Sequence, residues 1–119
     1  MVDSATATAN FRRFDFRIGL VGHSHIPTVF EMHDPNDRAR LAQADLGEPL
    51  DMTRRRLILN PGSVGQPRDG DPRASYAMMD TDAMTWTFRR VKYPVEITQE
   101  RMRAQDLPTR LINRLSVGR

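Results

Sequence analysis

The sequence has 119 residues, of which 39% are hydrophobic and 28% charged, and 18 basic against 15 acidic side chains give a net charge of +3 at pH 7. This composition is too apolar for a wholly disordered chain, and the length suits one small domain. The lack of cysteine excludes disulfides, thiolate metal ligands and a cysteine nucleophile. No apolar run approaches the ~20 residues of a membrane helix and no secretory signal is visible, so a cytoplasmic protein is expected.

The charge is distributed unevenly along the chain. Residues 1–83 hold 10 arginines against 12 acidic residues, whereas residues 84–119 hold 8 basic residues against 3 acidic ones. A basic segment of this kind can contact nucleic acid or an anionic surface. Because aromatic residues are not interleaved with the arginines, a solvated helix face is the preferred interpretation.

The N-terminal part of the chain predicts a short unstructured segment followed by two strands. Residues 1–13 are predicted to be a disordered or remnant segment, since residues 1–10 are small and polar, and residues 14–119 form the domain. Arg17–Val21 is a short apolar run that ends at a glycine, which predicts a buried strand. Thr28–Met32 predicts a second strand after a loop that contains a proline.

The middle of the chain is richer in turn signals. The polar stretch His33–Leu46 contains a strong turn signal at Asp34–Asp37, and Leu46–Met52 is at best a weak edge strand. The apolar run Arg56–Leu59 (RLIL) predicts a strand more clearly than Leu46–Met52 does. Asn60–Pro72 contains three prolines and three glycines, so it is predicted to be a loop.

A hairpin and two helices are predicted in the last third of the chain. Ala74–Met79 and Met84–Val91 flank the turn-forming run Asp80–Ala83, which predicts a β-hairpin. After Pro94, apolar residues spaced by three and four predict a helix. Leucines four residues apart over Leu107–Leu115 predict a second, shorter one.

Two histidines follow the first predicted strand in the run Gly22–His25 (GHSH). Imidazole is the commonest metal donor near neutral pH, and two rings at i and i+2 in an extended loop can face the same side. Such a pair alone more often caps a strand or faces solvent. The context is informative, because a second loop, Asn60–Arg68 (NPGSVGQPR), follows a later strand.

This order of strand, GHSH, strand and NPGS resembles the C-terminal half of the calcineurin-like metallophosphoesterases, especially their small bacterial branch, over residues 14–115. The resemblance implies an α/β fold, in which the chain forms the C-terminal half of a β-sandwich flanked by helices. A mixed sheet, a β-hairpin and two C-terminal helices belong to that half.

The resemblance also implies a function. Hydrolysis of a phosphate ester at a dinuclear centre is expected, with His23 binding one divalent ion and His25 the other. The metal is not specified among manganese, iron, nickel and zinc. Substrates of the family include phosphorylated small molecules, nucleotides and phosphoproteins.

The second motif implies further residues near the site. Three polar residues are candidates to contact the substrate or to support the fold: Asn60, Ser63 and Arg68. A structural role is the more common outcome, because asparagine and serine often satisfy loop backbone groups. Three residues are expected to shape the loops: Gly22, Pro61 and Gly62. His33 matches no motif and is expected at the surface.

The chain departs from the family by lacking its earlier motifs, an Asp-x-His pair, a Gly-Asp after a strand and a Gly-Asn-His. Two cations ~3.5 to 4 Å apart repel strongly unless anionic ligands lie between them, and neutral imidazoles cancel none of that charge. The sequence therefore predicts an incomplete fragment that is inactive alone. Truncation, a misplaced start or a split gene would each produce it.

Half of a sandwich would leave a strand edge and an apolar face open. The chain is therefore expected to pair with a missing N-terminal half or to self-associate. Two other functions stay open: a non-catalytic interaction module or subunit that reuses the fold and, less favoured, an arginine-rich nucleic-acid binder.

Overall fold

The computed structural model describes residues 3–119, and Met1 and Val2 lie outside the described residues. The elements of the described part are α1 (Ser4–Arg13), β1 (Ile18–Leu20), β2 (Pro27–Met32), β3 (Arg40–Ala42), β4 (Leu50–Asp51), β5 (Arg56–Pro61), β6 (Ala74–Asp80), β7 (Thr85–Val91), α2 (Val95–Ala104), α3 (Thr109–Asn113) and a 3₁₀ turn (Arg114–Val117).

The strands form two sheets. The first has the order β1-β5-β2-β3, in which β1 runs parallel to β5 and the other neighbours are antiparallel. The second has the order β4-β7-β6 and is antiparallel throughout. The mixed sheet, the β6–β7 hairpin and the C-terminal helices confirm the predicted α/β fold class.

The first sheet is covered on both faces, as the alternation of its side chains requires. Leu57 and Leu59 of β5 are fully buried against the second sheet, in a cluster that also contains Trp86 and Phe88. Ile58, between the two leucines, belongs instead to the cluster on the opposite face. Trp86 and Phe88 meet edge to face, with ring centroids 5.8 Å apart.

The prediction that the N-terminal segment is disordered is wrong, because Ser4–Arg13 form α1. Asp3 caps this helix by accepting the Thr6 backbone N–H at 2.7 Å. Ala7 and Phe11, one turn apart, are fully buried and pack on the first sheet. Two apolar positions at helical spacing suffice to dock a helix whose overall composition is polar. That the segment is a remnant of a longer element stays a prediction.

The strands differ from their predicted bounds where tertiary pairing decides the outcome. β1 is an edge strand in which Leu20 is 61% exposed, so the prediction of a buried strand is wrong. β3 lies in the stretch predicted to be polar loop and pairs with β2. The weak edge strand is reduced to the two residues of β4, which pair with β7.

The second loop also begins later than predicted. Asn60 and Pro61 continue β5 and pair with Thr28 and Pro27 of β2. Pro27 and Pro61 therefore face each other as the last pair of the ladder, where a missing N–H is tolerated. The two motifs thus begin at the same end of the first sheet.

The helix predicted after Pro94 turns one face inward, on which the half-buried Val95, Thr98 and Met102 of α2 lie beside the buried Gln99. In α2 the buried residue is Gln99, which donates to the Ile112 carbonyl oxygen at 2.8 Å and so joins α2 to α3. Ile112 and Leu115 are buried, whereas Leu107 is 42% exposed. The regular leucine spacing fails at Leu107 because this residue precedes α3, which begins at Thr109, whereas Leu115 is buried in the 3₁₀ turn that follows α3.

The described molecule is elongated, with extents of 51 × 28 × 19 Å and a radius of gyration of 16.3 Å. A compact domain of this length has a radius of gyration of about 13–14 Å. Within residues 3–119, no helix has the length and apolar character needed to cross a membrane.

Candidate functional site

The GHSH loop connects β1 to β2 with a contorted backbone. His23 and His25 have φ angles of 72° and 62°, in the left-handed region that costs a non-glycine residue of order 1–3 kcal/mol. The prediction of an extended loop is therefore wrong, and strand-like alternation does not set the relative direction of the two rings. His23 is exposed and His25 is half-buried. Neither ring is enclosed in the core.

The His25 ring is held by the second loop. Its Nδ1 atom lies 2.7 Å from the backbone carbonyl oxygen of Gln66. Because a carbonyl oxygen only accepts hydrogen bonds, Nδ1 carries the proton and donates. In the neutral form of the ring this tautomer leaves the lone pair of Nε2 free, which is the usual arrangement of a metal-binding histidine. The backbone N–H of Arg68 also donates to the His25 carbonyl oxygen, at 3.2 Å.

Asn60, at the end of β5, connects the two loops through its side chain. Its residue is 1% exposed, and its side-chain amide donates to the Ser24 hydroxyl at 2.9 Å and to the Gly22 carbonyl at 3.3 Å. The Asn60 Oδ1 atom accepts the Gly62 backbone N–H at 3.0 Å. All of these contacts support the loops, and none leaves the amide open to a substrate.

Ser63 and Gly62 shape the turn that follows β5. The Ser63 hydroxyl accepts the Gln66 N–H at 3.0 Å, and the Ser63 carbonyl accepts the Ser75 N–H at 2.9 Å. Gly62 has a φ of +86°, and a Cβ there would lie 2.6 Å from the Ser75 hydroxyl and 2.9 Å from Pro27 Cγ. The chain needs glycine at this position for both reasons.

Gln66 and Arg114 are site residues that sequence reasoning missed. The Gln66 side-chain Oε1 accepts hydrogen bonds from the guanidinium of Arg68, at 2.8 Å, and from that of Arg114. Gln66 lies inside the NPGSVGQPR motif, so its proximity to His25 follows once the loops are paired. Arg114 lies 48 residues further on, and no local pattern indicates its position.

A charged cluster continues the second loop toward the hairpin. Arg73 donates a forked set of hydrogen bonds to Asp71, between 2.6 and 3.0 Å, and this pairing lowers the pKa of Asp71 from 3.8 to about 2. Burial of the carboxyl opposes the shift, while the charge of Arg90 adds to it. Arg90, whose side chain is 7% exposed, donates to the Arg73 carbonyl at 3.0 Å and pairs with Asp69.

A cavity of about 460 Å³ lies beside these loops. The first residue after the GHSH motif, Ile26, lines it together with β2 and β3. Its apolar wall includes Leu41 and Phe88, and its polar wall includes Asp69 and Arg90.

The donors present supply only part of a metal centre. Among residues 3–119, no three side chains of histidine, cysteine, aspartate or glutamate are grouped closely enough to hold an ion. His25 fits one ligand position, because its tautomer is fixed and its Nε2 is free. His23 is exposed two residues away and is available as another. His33 is directed elsewhere, with its Nε2 atom 3.4 Å from Glu31.

Comparison with known proteins places these loops in a family context. Residues 3–84 match the profile of the calcineurin-like phosphoesterase superfamily domain. The chain is 39% identical over 100 residues to the uncharacterized protein MJ0912 of Methanocaldococcus jannaschii. The aligned region covers 84% of this chain and 39% of that protein.

A solved structure is also similar. The metallophosphoesterase from Sphaerobacter thermophilus superposes with a TM-score of 0.89 and 42% sequence identity, over 100% of this chain and 50% of that one. The chain therefore spans half or less of the length of these two relatives.

Proposed function

Because the chain belongs to the calcineurin-like phosphoesterase superfamily, as the motifs predicted, we propose that it contributes ligands to a metal-dependent phosphoesterase centre. In this proposal His23 binds one divalent ion and His25 the other. Members of the superfamily typically use divalent metals and are hydrolases. The metal for this chain is manganese, iron, nickel or zinc, all of which accept imidazole.

The hydrogen bond between His25 and Gln66 is the observation that carries the proposal. A carbonyl oxygen 2.7 Å from Nδ1 fixes the tautomer and the ring direction before any metal binds. Ligand histidines are commonly oriented in this way, and loss of such a partner typically weakens metal binding 10–100-fold. The left-handed backbone at both histidines supports the same interpretation, since strain of this kind clusters at functional sites.

The remaining ligands are proposed to come from polypeptide outside this sequence. Two neutral imidazoles leave the mutual repulsion of two cations uncompensated, so carboxylates must complete the centre. A complete centre would lower the pKa of a bound water and stabilise the phosphoryl oxygens. The role of His23 and His25 in that chemistry is to hold the ions, and neither is proposed as the nucleophile or the general acid.

The substrate is proposed to be a phosphorylated small molecule, a nucleotide or a phosphoprotein. The cavity next to Ile26 is suited to the organic part of such a ligand, because it has one apolar wall and one charged wall.

The test is manganese-dependent hydrolysis of an aryl phosphate ester. Two proteins are compared: this chain alone, and this chain joined to the half of the Sphaerobacter thermophilus metallophosphoesterase that the match leaves uncovered. Hydrolysis is expected only in the joined protein. It should be abolished by His23→Ala and by His25→Ala and retained in His33→Ala, which removes a surface histidine.

Hydrolysis that persists at the wild-type rate in His25→Ala would contradict the proposal. Inactivity of a folded joined protein, together with failure of this chain to bind any of the four metals, would favour the non-catalytic subunit instead.

A further inference from the structure

Two arginines from distant parts of the chain meet at one side-chain oxygen. Oε1 of Gln66 accepts from Nη2 of Arg68 at 2.8 Å and also from Nη2 of Arg114. Since two donors that share an acceptor are each within hydrogen-bond distance of it, the two Nη2 atoms are separated by at most roughly 6 Å. The two guanidinium groups are therefore neighbours.

Within residues 3–119, neither guanidinium group forms an ion pair with a carboxylate. The six ion pairs found in the described residues all join other side chains. The shared acceptor is a neutral amide, which satisfies two N–H groups without cancelling either charge. The Nε atom of Arg114 is buried and makes no hydrogen bond within the described structure. Two like charges held together in this way gain stability from an anion.

The pair of arginines is connected by backbone hydrogen bonds to the GHSH loop and to the C-terminal segment. The Arg68 backbone N–H donates to the His25 carbonyl oxygen at 3.2 Å. The Gly70 N–H donates to the Gly118 carbonyl at 2.9 Å, and a Cβ on Gly118 would lie 2.7 Å from the Asp71 backbone. The C-terminal segment is therefore docked tightly on the second loop, which sets the position of Arg114. Arg68 is exposed and Arg114 half-buried, so a ligand can reach the pair from solvent.

We propose that Arg68 and Arg114, bridged by Gln66, form a binding subsite for a phosphate oxyanion of the ligand. The planar fork of a guanidinium matches the edge of a phosphate, and two forks side by side suit its several oxygens. The choice of phosphate rests on the proposed function, whereas the binding itself requires only the two arginines and no metal.

The test is a calorimetric titration of the full chain, stripped of metal on chelating resin, with inorganic phosphate. The wild-type chain is expected to bind phosphate, with an affinity that falls as salt is added. Arg68→Gln and Arg114→Gln are each expected to weaken binding by about tenfold or more, because each removes a charged hydrogen-bond donor. Arg110→Gln, which alters an exposed arginine of α3, should change the affinity less than about twofold.

The variant Gln66→Glu distinguishes two roles for the arginine pair: binding an anion, or only bridging two parts of the fold. The carboxylate keeps both hydrogen bonds to the arginines and supplies the missing negative charge, so the fold should be at least as stable to heat. Phosphate binding should nevertheless fall by about tenfold or more, because the charge is already compensated. Should Arg114→Gln not fold, this variant still decides the outcome.

Wild-type phosphate affinity in folded Gln66→Glu would overturn the subsite, as would the absence of binding to the wild-type chain at millimolar phosphate. Since no metal and no turnover are involved, either result leaves the hydrolysis test of the proposed function unaffected.

Discussion

The side-chain amide of Asn60 donates to the hydroxyl of Ser24 at 2.9 Å, across the gap between two loops that are 36 residues apart in sequence. The same amide reaches the Gly22 carbonyl, and its oxygen holds the Gly62 N–H. The histidine loop and the NPGS loop are therefore one hydrogen-bonded unit. A residue that supports this unit affects the histidines without touching a ligand.

Asn60→Ala is expected to destabilise the fold by about 2–4 kcal/mol, because it removes a buried side chain together with its three part-buried hydrogen bonds. It should also weaken metal binding by loosening the histidine loop. Urea unfolding gives the free energy, and calorimetric titration with Ni²⁺ gives the affinity. Asn113→Ala, which alters an exposed asparagine in α3, is the control and should change the stability by less than about 0.5 kcal/mol. Equal free energies of unfolding for Asn60→Ala and Asn113→Ala would contradict the supporting role of Asn60.

Gly62→Ala is expected to cost about 2–4 kcal/mol in the free energy of unfolding. The φ of +86° disfavours any side chain, and the new Cβ would overlap the Ser75 side chain and Pro27. Gly65→Ala is a matched control three residues away, since a Cβ at Gly65 meets no atom within 4 Å. Its effect should stay within about 1 kcal/mol. Thermal and urea unfolding of the two variants in parallel measures the difference. Equal decreases in the unfolding midpoints of Gly62→Ala and Gly65→Ala would contradict this reasoning.

His25→Ala is expected to weaken binding of Ni²⁺ or Zn²⁺ to the isolated chain by about tenfold or more, because it removes the donor whose tautomer Gln66 fixes. His33→Ala is the matched control, since the His33 side chain is 54% exposed and lies beside Glu31. Calorimetric titration of both variants at one pH and salt concentration measures the difference. Equal metal affinity in wild type and His25→Ala would show that His25 is not a ligand.

The sequence predicts the parts of this fold that local patterns determine. Short runs of apolar and β-branched residues identify β2 and β5, and two runs that flank a turn identify the hairpin. The two motifs mark the loops at one end of the first sheet. α1 is missed because two buried side chains, Ala7 and Phe11, dock a helix that is otherwise polar. β3 is missed because it is stabilised by pairing with β2 rather than by its own hydrophobicity.

The site shows the same division between local and distant information. The resemblance carried by the two motifs predicts His23 and His25 as ligands, but it does not predict their left-handed backbone, since histidine rarely adopts it without tertiary support. The contact of Arg114 with Gln66 depends on how the C-terminal segment docks onto the second loop. No periodicity or motif within either segment contains that information.

The pKa of Asp71 predicts a specific loss of stability in acid. The folded value of about 2 lies below the ordinary value of 3.8, so the unfolded chain binds the proton more tightly. The stabilisation is therefore fully present above about pH 5 and is lost as the pH falls toward 2. The variant Asp71→Asn lacks the ionised carboxylate and therefore lacks this stabilisation at every pH. The difference in unfolding free energy between wild type and Asp71→Asn should be about 1–2 kcal/mol at pH 7 and should shrink steadily below pH 4.

Asp82→Asn, at an exposed position in the hairpin turn, is the control for a general effect of removing one negative charge. Its unfolding free energy should follow the wild-type curve throughout. A difference between wild type and Asp71→Asn that stays constant from pH 7 to pH 2 would contradict the role of the Arg73 pairing.

Self-association through β1 is expected from the position of this strand at the edge of the first sheet. Within the described residues β1 pairs only with β5, and Leu20 exposes 61% of its surface beside the free edge. Leu20→Lys should reduce the oligomer fraction, because a charge on an edge strand opposes pairing with a second chain. Val64→Lys is the control, since Val64 is 65% exposed but lies in a loop. Sedimentation equilibrium over a range of concentrations measures both. A wild-type chain that stays monomeric and unfolds cooperatively would show that the free edge of β1 does not drive association, whereas an equal effect of both lysines would assign association to general surface hydrophobicity.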